Sequence, residues 1–394
     1  METFPKKSLN FDDTEVAFRN KSNSELNAAY WLFKIISSNF LTKVGPPVTN
    51  LFLNIGLPIK GIIKATIFKH FCGGETIAEC AETVTQLNSG KVGTILDYSV
   101  EGEDEETVFD FTCEEIIRTI DQAAKDKRIP ITVFKVTGIG RFALLEKLDA
   151  KQSLTAAEEA EYEKVKQRCE KICRTAFDKK VPVMIDAEET WIQKTIDELA
   201  VDMMRLFNKE TIIVYNTYQM YRHDKLADLK ADHLIAKAAG YILGVKMVRG
   251  AYMEKERKRA AEMGYPSPIQ PTKEASDIDY DESLRYCMAH IDEIAFVCGT
   301  HNEDSCRLLA ELLDQNKVAH NHPHVYFAQL LGMSDNLSFN LSDAGYNVAK
   351  YVPYGPVKAV MPYLFRRAQE NTSIAGQTSR ELGLIMKEKK RRRL

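Results

Sequence analysis

The sequence lacks any marked excess of charge. Its 53 lysines and arginines stand against 56 aspartates and glutamates, a net −3 over 394 residues, so nothing in the balance demands nucleic acid. It also lacks a C-x-x-C pair. The eight cysteines are scattered, with Cys169 and Cys173 one helical turn apart, and free thiols suit a reducing cytoplasm better than a disulfide framework. No apolar run follows the charges of METFPKKSLNFDDTEVAFRN, which argues against a secretory signal. Asp12, Asp13 and Glu15 argue against a mitochondrial transit peptide, a segment that avoids acids. The apolar stretch LFLNIGLPIKGIIKATIF (51–68) is interrupted by Pro58, Lys60 and Lys64. It is too short and too broken to span a bilayer and reads as buried or interfacial helices. A dinucleotide fingerprint is missing too. TGIGRF supplies only G-I-G where a doubly wound sheet would carry G-x-G-x-x-G after a strand.

What is present is a rhythm of short apolar runs, each followed by a helix-like segment: 92–99, 131–139, 182–188, 211–218, 244–250, 293–300, 324–332 and 347–355. They are rich in Val and Ile and apolar on both faces, as parallel strands covered by helices are. Eight such units over about 270 residues predict an α/β fold, a (β/α)8 TIM-type barrel. Residues 1–90 lack the rhythm and read as a helical N-terminal arm, 91–375 as the barrel, and 376–394 as a basic C-terminal tail. The tail, ending KEKKRRRL, reads as solvated and disordered, with contact to an anionic membrane as the functional alternative. The acidic segment AAEEAEYEKVKQRCEKICRTAF is expected to be a solvent-facing helix, without the pattern of a calcium loop.

In such barrels chemistry gathers at the C-terminal ends of the strands. The polar residues there are Asp97 and Glu101 at the first run, Lys135 at the second, Asp186, Glu188 and Glu189 at the third, and Asn216 and Gln219 at the fourth. Lys246, Arg249 and Tyr252 follow at the fifth, Thr300, His301 and Asn302 at the sixth, Gln329 at the seventh and Tyr351 at the eighth. Their convergence on one rim points to a functional cleft, since buried polar groups need partners. The helix after the last run carries Tyr363, Arg366, Arg367 and Glu370 within an arc of about 100°. Pro362 is expected to kink this helix or start it anew. Arg366 and Glu370 are also spaced for a surface ion pair. Adjacent guanidinium groups near a barrel mouth, however, suit bidentate capture of a carboxylate. The cluster HNHPH (320–324) allows a metal reading through alternate spacing; His70, His223, His233 and His290 stand alone and read as surface or capping residues.

At these residues the chain resembles the proline dehydrogenases. The motifs that carry the likeness are DAEE, KMVRGAY, GTHN and YVPYGPVKAVMPYLFRRAQEN, in that order, and it covers roughly residues 70–375. The resemblance implies a distorted (β/α)8 barrel that holds FAD without a Rossmann fingerprint. It implies that Arg366, Arg367 and Lys135 hold the proline carboxylate, that Tyr351 and Tyr363 pack on the pyrrolidine ring, that Asp186 completes the pocket, and that Glu101 pairs with the first arginine. It places Lys246 near the flavin N5–O4 edge, with Arg249, Gly250, Asn216, Gln219, Thr300, His301, Asn302 and Glu370 around the rest of the cofactor and Tyr252 and Gln329 in the same set. The order Lys246 then Arg249 resembles the mitochondrial-type branch. The family needs no metal.

The implied activity is oxidation of L-proline to 1-pyrroline-5-carboxylate by hydride transfer to FAD, with reoxidation by ubiquinone. That implies a peripheral visit to a membrane by a cytoplasmic protein, docking through the tail or residues 51–68. The chain resembles a monofunctional enzyme, whose product passes to a separate pyrroline-5-carboxylate dehydrogenase. Three rivals are weighed. A hydroxyproline dehydrogenase carries a smaller residue at the position of Tyr351. A class I aldolase would use Lys246 for a Schiff base. The last is a non-catalytic ligand-binding barrel.

Overall fold

The computed structural model describes residues 9–36, 60–99, 104–373 and 377–394. Its eight parallel strands are β1 (Gly93–Tyr98), β2 (Thr132–Phe134), β3 (Val183–Ile185), β4 (Val214–Gln219), β5 (Leu243–Val248), β6 (Ile294–Gly299), β7 (Val325–Leu330) and β8 (Val348–Tyr354). They follow one another in spatial order and close into a barrel, as the alternation of runs and helices predicts. Residues of β3, β4 and β8 are buried throughout, as in strands covered on both faces. β2 and β3 are the most shortened against their runs, at three residues each: β2 stops at Phe134 and the chain turns through a 3-10 segment, Val136–Gly138. Lys135 therefore lies just beyond its strand, as Asp186 does beyond β3, although the Asp186 amide still donates to the Phe134 carbonyl at 2.9 Å.

The chain divides into two compact units, residues 102–328 and residues 1–101 with 329–394. In the first, the acidic helix Ala156–Lys179 starts on a capping box of Thr155 and Glu158 and buries a stripe of Val165, Cys169, Ile172, Cys173 and Ala176. The eight cysteines are all buried and free, as the scattered spacing suggests.

In the second unit, the basic C-terminal segment is a helix, Gln377–Arg392, where the composition suggests a disordered tail. Leu384 and Ile385 pack with Ala17, Phe18, Leu26, Ala29 and Phe33 of the N-terminal helices. Buried Glu388 accepts from Arg391 at 2.8 Å and Arg392 at 2.7 Å, and Arg392 also donates to the Phe18 and Lys21 carbonyls. The charge run hides an apolar stripe and spends part of its charge inward. Pro362 lies inside helix Val357–Ser373 rather than dividing it. Gly355, at φ 143°, closes β8 before this helix, and the Glu75 carboxylate accepts from its first amide, Val357 N, at 3.3 Å. Of the stretch 51–68, residues 51–59 lie outside the described residues; Phe68 sits in an apolar cluster with Phe71, Val360, Met361 and Leu364. No helix among the described residues is long and apolar enough to cross a membrane.

Beside β8 lies a buried charge cluster. Asp335 pairs with Lys350 at 2.8 Å and with Lys21 at 3.1 Å. Burial alone would raise its pKa, but the two ammonium groups hold it well below the usual carboxylate range. Glu381 accepts from the Ser334 amide. His70 is no surface residue: its Nε2 meets the Gly332 carbonyl at 2.9 Å, and burial, reinforced by Lys21, pushes its pKa down to about 4. Replacing Asp335 with Ala deprives the fully buried Lys350 ammonium, and the half-buried Lys21, of their shared carboxylate and is expected to cost about 3–5 kcal/mol, read as a lower urea midpoint at unchanged slope.

Candidate active site

In residues 102–328 the centre of the polar rim is Asp186. Its carboxylate accepts from Lys135 Nζ at 2.9 Å and, on the other oxygen, from Lys246 Nζ. All three side chains are nearly buried. Burial would raise the Asp186 pKa; Lys135 and then Lys246 overcome it and hold it at about 2. Two ammonium groups and one carboxylate leave one net positive charge.

Strand alternation sorts the remaining candidates. Lys246 stands opposite Thr217 and Val297 in register, so this set faces inward with Gln219. Gln219 is buried and its Oε1 has no protein partner. Asn216 has the opposite parity. It turns to the surrounding helices, where its Nδ2 donates to Asp197 at 2.9 Å while its Oδ1 accepts from the Thr217 amide. Both ends are spent outside the barrel interior, which corrects its expected place around a cofactor. Arg249 spends its fork on Asp277 at 2.6 Å, Thr300 at 2.7 Å and Ser305 at 3.0 Å, and lies 4.3 Å above the Tyr280 ring. Gly250, at φ 139°, packs so closely that a Cβ would fall 2.5 Å from the Tyr221 ring. Tyr252 is the N-cap of helix Met253–Met263. Asn302 caps helix Glu303–Gln315 by accepting from the Ser305 amide at 3.1 Å, and His301 beside it is half-buried.

In the unit of residues 1–101 and 329–394, Tyr363 and Arg367 are both buried, with the guanidinium 5.0 Å from the ring centre. Arg366 is half-buried. Lys350 points from β8 to helix Asp335–Asp343, so Tyr351 has the opposite, inward parity, in register with Ile95. Gln329 follows the inward Ala328 of β7 and so turns outward, where its Oε1 accepts from Ser338 of helix Asp335–Asp343 at 2.9 Å, which corrects its expected place around a cofactor as for Asn216. Glu101 and the side chain of Glu370 lie outside the described residues.

Several partners escape a reading of the sequence. Asp277 lies 28 positions beyond the arginine it orients, with no local pattern to mark it. Glu188 carries a visible signal, its place in DAEE, but not a role. It is buried, accepts from the Thr137 amide at 3.1 Å and also bonds the Thr137 hydroxyl. Burial, reinforced by Glu189, pushes its pKa up to about 8. A carboxyl raised on folding destabilises the fold as pH rises from its unfolded value near 4.3 toward 8. Between those limits Glu188→Gln is expected to abolish a slope of about 1.4 kcal/mol per pH unit, measured by urea unfolding across the range.

Comparison with known proteins gives the family. The proline dehydrogenase family model matches residues 80–380. Proline dehydrogenase 1, mitochondrial, of Dictyostelium discoideum is 34% identical over 96% of this chain and 74% of its own length. The human protein of the same name is 42% identical over 60% of this chain and 40% of its own length. The carbapenem antibiotics biosynthesis protein CarD of Pectobacterium carotovorum is 33% identical over 84% of this chain and 86% of its own. Among solved structures, proline utilization A of Bdellovibrio bacteriovorus, inactivated by N-propargylglycine, superposes with a TM-score of 0.71 at 20% identity, covering 95% of this chain and 40% of that one; at this identity the likeness speaks for the fold. With the family match spanning the barrel, the chain belongs to the proline dehydrogenase family of enzymes.

Proposed function

We propose that the chain oxidises L-proline to 1-pyrroline-5-carboxylate by hydride transfer to FAD and passes the electrons to a quinone. The observation that carries this reading is the Asp186 carboxylate locked between Lys135 and Lys246, which leaves a buried net positive charge at the C-terminal ends of the strands. The residues present fit a flavin: Gln219 offers a buried acceptor without a protein partner, and Lys246 a buried cation on the same inward face. FAD, when bound, supplies the hydride acceptor.

The protein's own part is binding, orientation and charge. Arg366 and Arg367 hold the substrate carboxylate. Arg367 is pre-positioned by stacking on Tyr363, so less side-chain freedom is lost on binding. Tyr351 and Tyr363 pack on the pyrrolidine ring and aim its C5; orientation of this kind can contribute several kcal/mol. Positive neighbours favour the neutral ring nitrogen that hydride loss requires. Asp186 fixes Lys246 as a positive charge, which would help hold the flavin and favour its reduced form. Arg249, Gly250, Gln219, Tyr252, Thr300, His301 and Asn302 would hold the cofactor. The ion pair of Lys246 favours its ammonium form, which opposes a Schiff-base aldolase. A quinone acceptor brings the protein to a membrane surface, and a separate dehydrogenase takes the product.

The purified protein is expected to be yellow and to bleach when proline is added without oxygen. Arg367→Met is expected to raise KM for proline about 100-fold, the loss of about 2–3 kcal/mol of charged hydrogen bonding, with flavin content unchanged. A protein that takes up flavin but is not bleached by proline points to a non-catalytic barrel, and faster turnover of hydroxyproline would replace the substrate. Sedimentation with anionic vesicles, weakened by charge reversal at Lys387 and Lys390, tests the membrane visit.

A further inference from the structure

We propose that His233, His290 and Glu293 form a site for a divalent metal of the zinc class at the N-terminal ends of β5 and β6, away from the catalytic strand ends. One ligand atom from each of the three lies within 4.8 Å of the others. They come from three places: His233 from helix Lys225–Ala239, His290 from the C-cap of helix Lys273–Ala289, and Glu293 from the residue before β6. Two imidazoles and a carboxylate are a recognised zinc donor set, with a fourth position for water.

The arrangement is built rather than incidental. His233 is 2% exposed, and its Nδ1 meets the Tyr286 hydroxyl at 2.8 Å while its Nε2 meets Glu293 Oε2 at 2.7 Å. Tyr286 thus occupies one nitrogen and presents the other to the ligand position, as outer partners of metal-bound histidines do. The rings of His233 and His290 lie 4.6 Å apart between centres. The turn carrying the other two ligands is pinned: Glu293 N donates to the His290 carbonyl at 2.9 Å, and Leu243 N to the Glu293 carbonyl at 3.0 Å. His324, from HNHPH, bonds the Ile291 carbonyl at 2.8 Å, while His320 bonds Asp314 at 2.9 Å. The histidines of that motif are spent separately and one of them braces this turn. His290 and Glu293 are half-exposed, which gives an ion a path in and lets their side chains close to the ~3.3 Å ligand spacing that bonds of 2.0–2.2 Å require.

Two cations face the cluster. Lys237 Nζ lies 2.7 Å from Glu293 Oε1 and is 59% exposed, and Lys230 Nζ lies 5.4 Å over the Tyr286 ring. Lys237 holds Glu293 in the metal's absence and competes with it, leaving Oε2 as the single carboxylate ligand.

The test is calorimetric titration of Zn2+ into the chelator-treated, flavin-loaded full chain, with metal retained after gel filtration counted per chain. One saturable equivalent is expected. It is lost in His233→Ala and in the half-exposed His290→Ala, weakened about 10- to 100-fold in Tyr286→Phe, and tightened in Lys237→Ala. Unchanged flavin content in His290→Ala shows that the variant is folded. Absence of a saturable equivalent overturns the proposal, as does undiminished binding in folded His290→Ala, which would put the ion elsewhere.

Discussion

Two ammonium groups converging on one buried carboxylate repel, and taking each from water costs several kcal/mol. Asp186 makes Lys135 and Lys246 compatible with burial, and much of the described rim depends on it. β2 and β3 end where Lys135 and Asp186 turn toward one another, and their backbones still pair across that point. Both lysine tips are fixed at once, so charge is held in place before any ligand arrives. A preorganised charge of this kind acts without reorganisation when charge develops.

The neighbouring arginine shows the complementary use of a cation. Arg249 divides its planar fork among an aspartate and two hydroxyls and rests on an aromatic face. A lysine could supply charge there but not three directed contacts. In KMVRGAY the point charge is therefore turned inward and the fork is used to tie β5 to the segment after β6.

What could be read beforehand followed from periodicity. Runs of Val and Ile marked the strands, and polar residues at their ends marked Lys135, Asp186 and Lys246. Parity was harder. Asn216 and Gln219 sit in one strand end and look equally eligible, but an odd separation sends them to opposite faces, and only the register says which faces inward. Distant partners such as Asp277 leave no trace near the residues they hold. Composition misled at the C-terminus, where basic residues mask the stripe of Leu384 and Ile385 that packs on the N-terminal helices. It misled again at His70 and His233, whose surroundings come from remote segments.

The family match ends at residue 380 and begins at 80, yet Asp335 draws one of its two cations from Lys21. The Ser334 amide beside it is satisfied by Glu381. A fragment trimmed to the span of the family model would keep every strand and still lose one of the two cations that neutralise a buried carboxylate. Charge balance thus gives the segment before residue 80 a structural part in this fold.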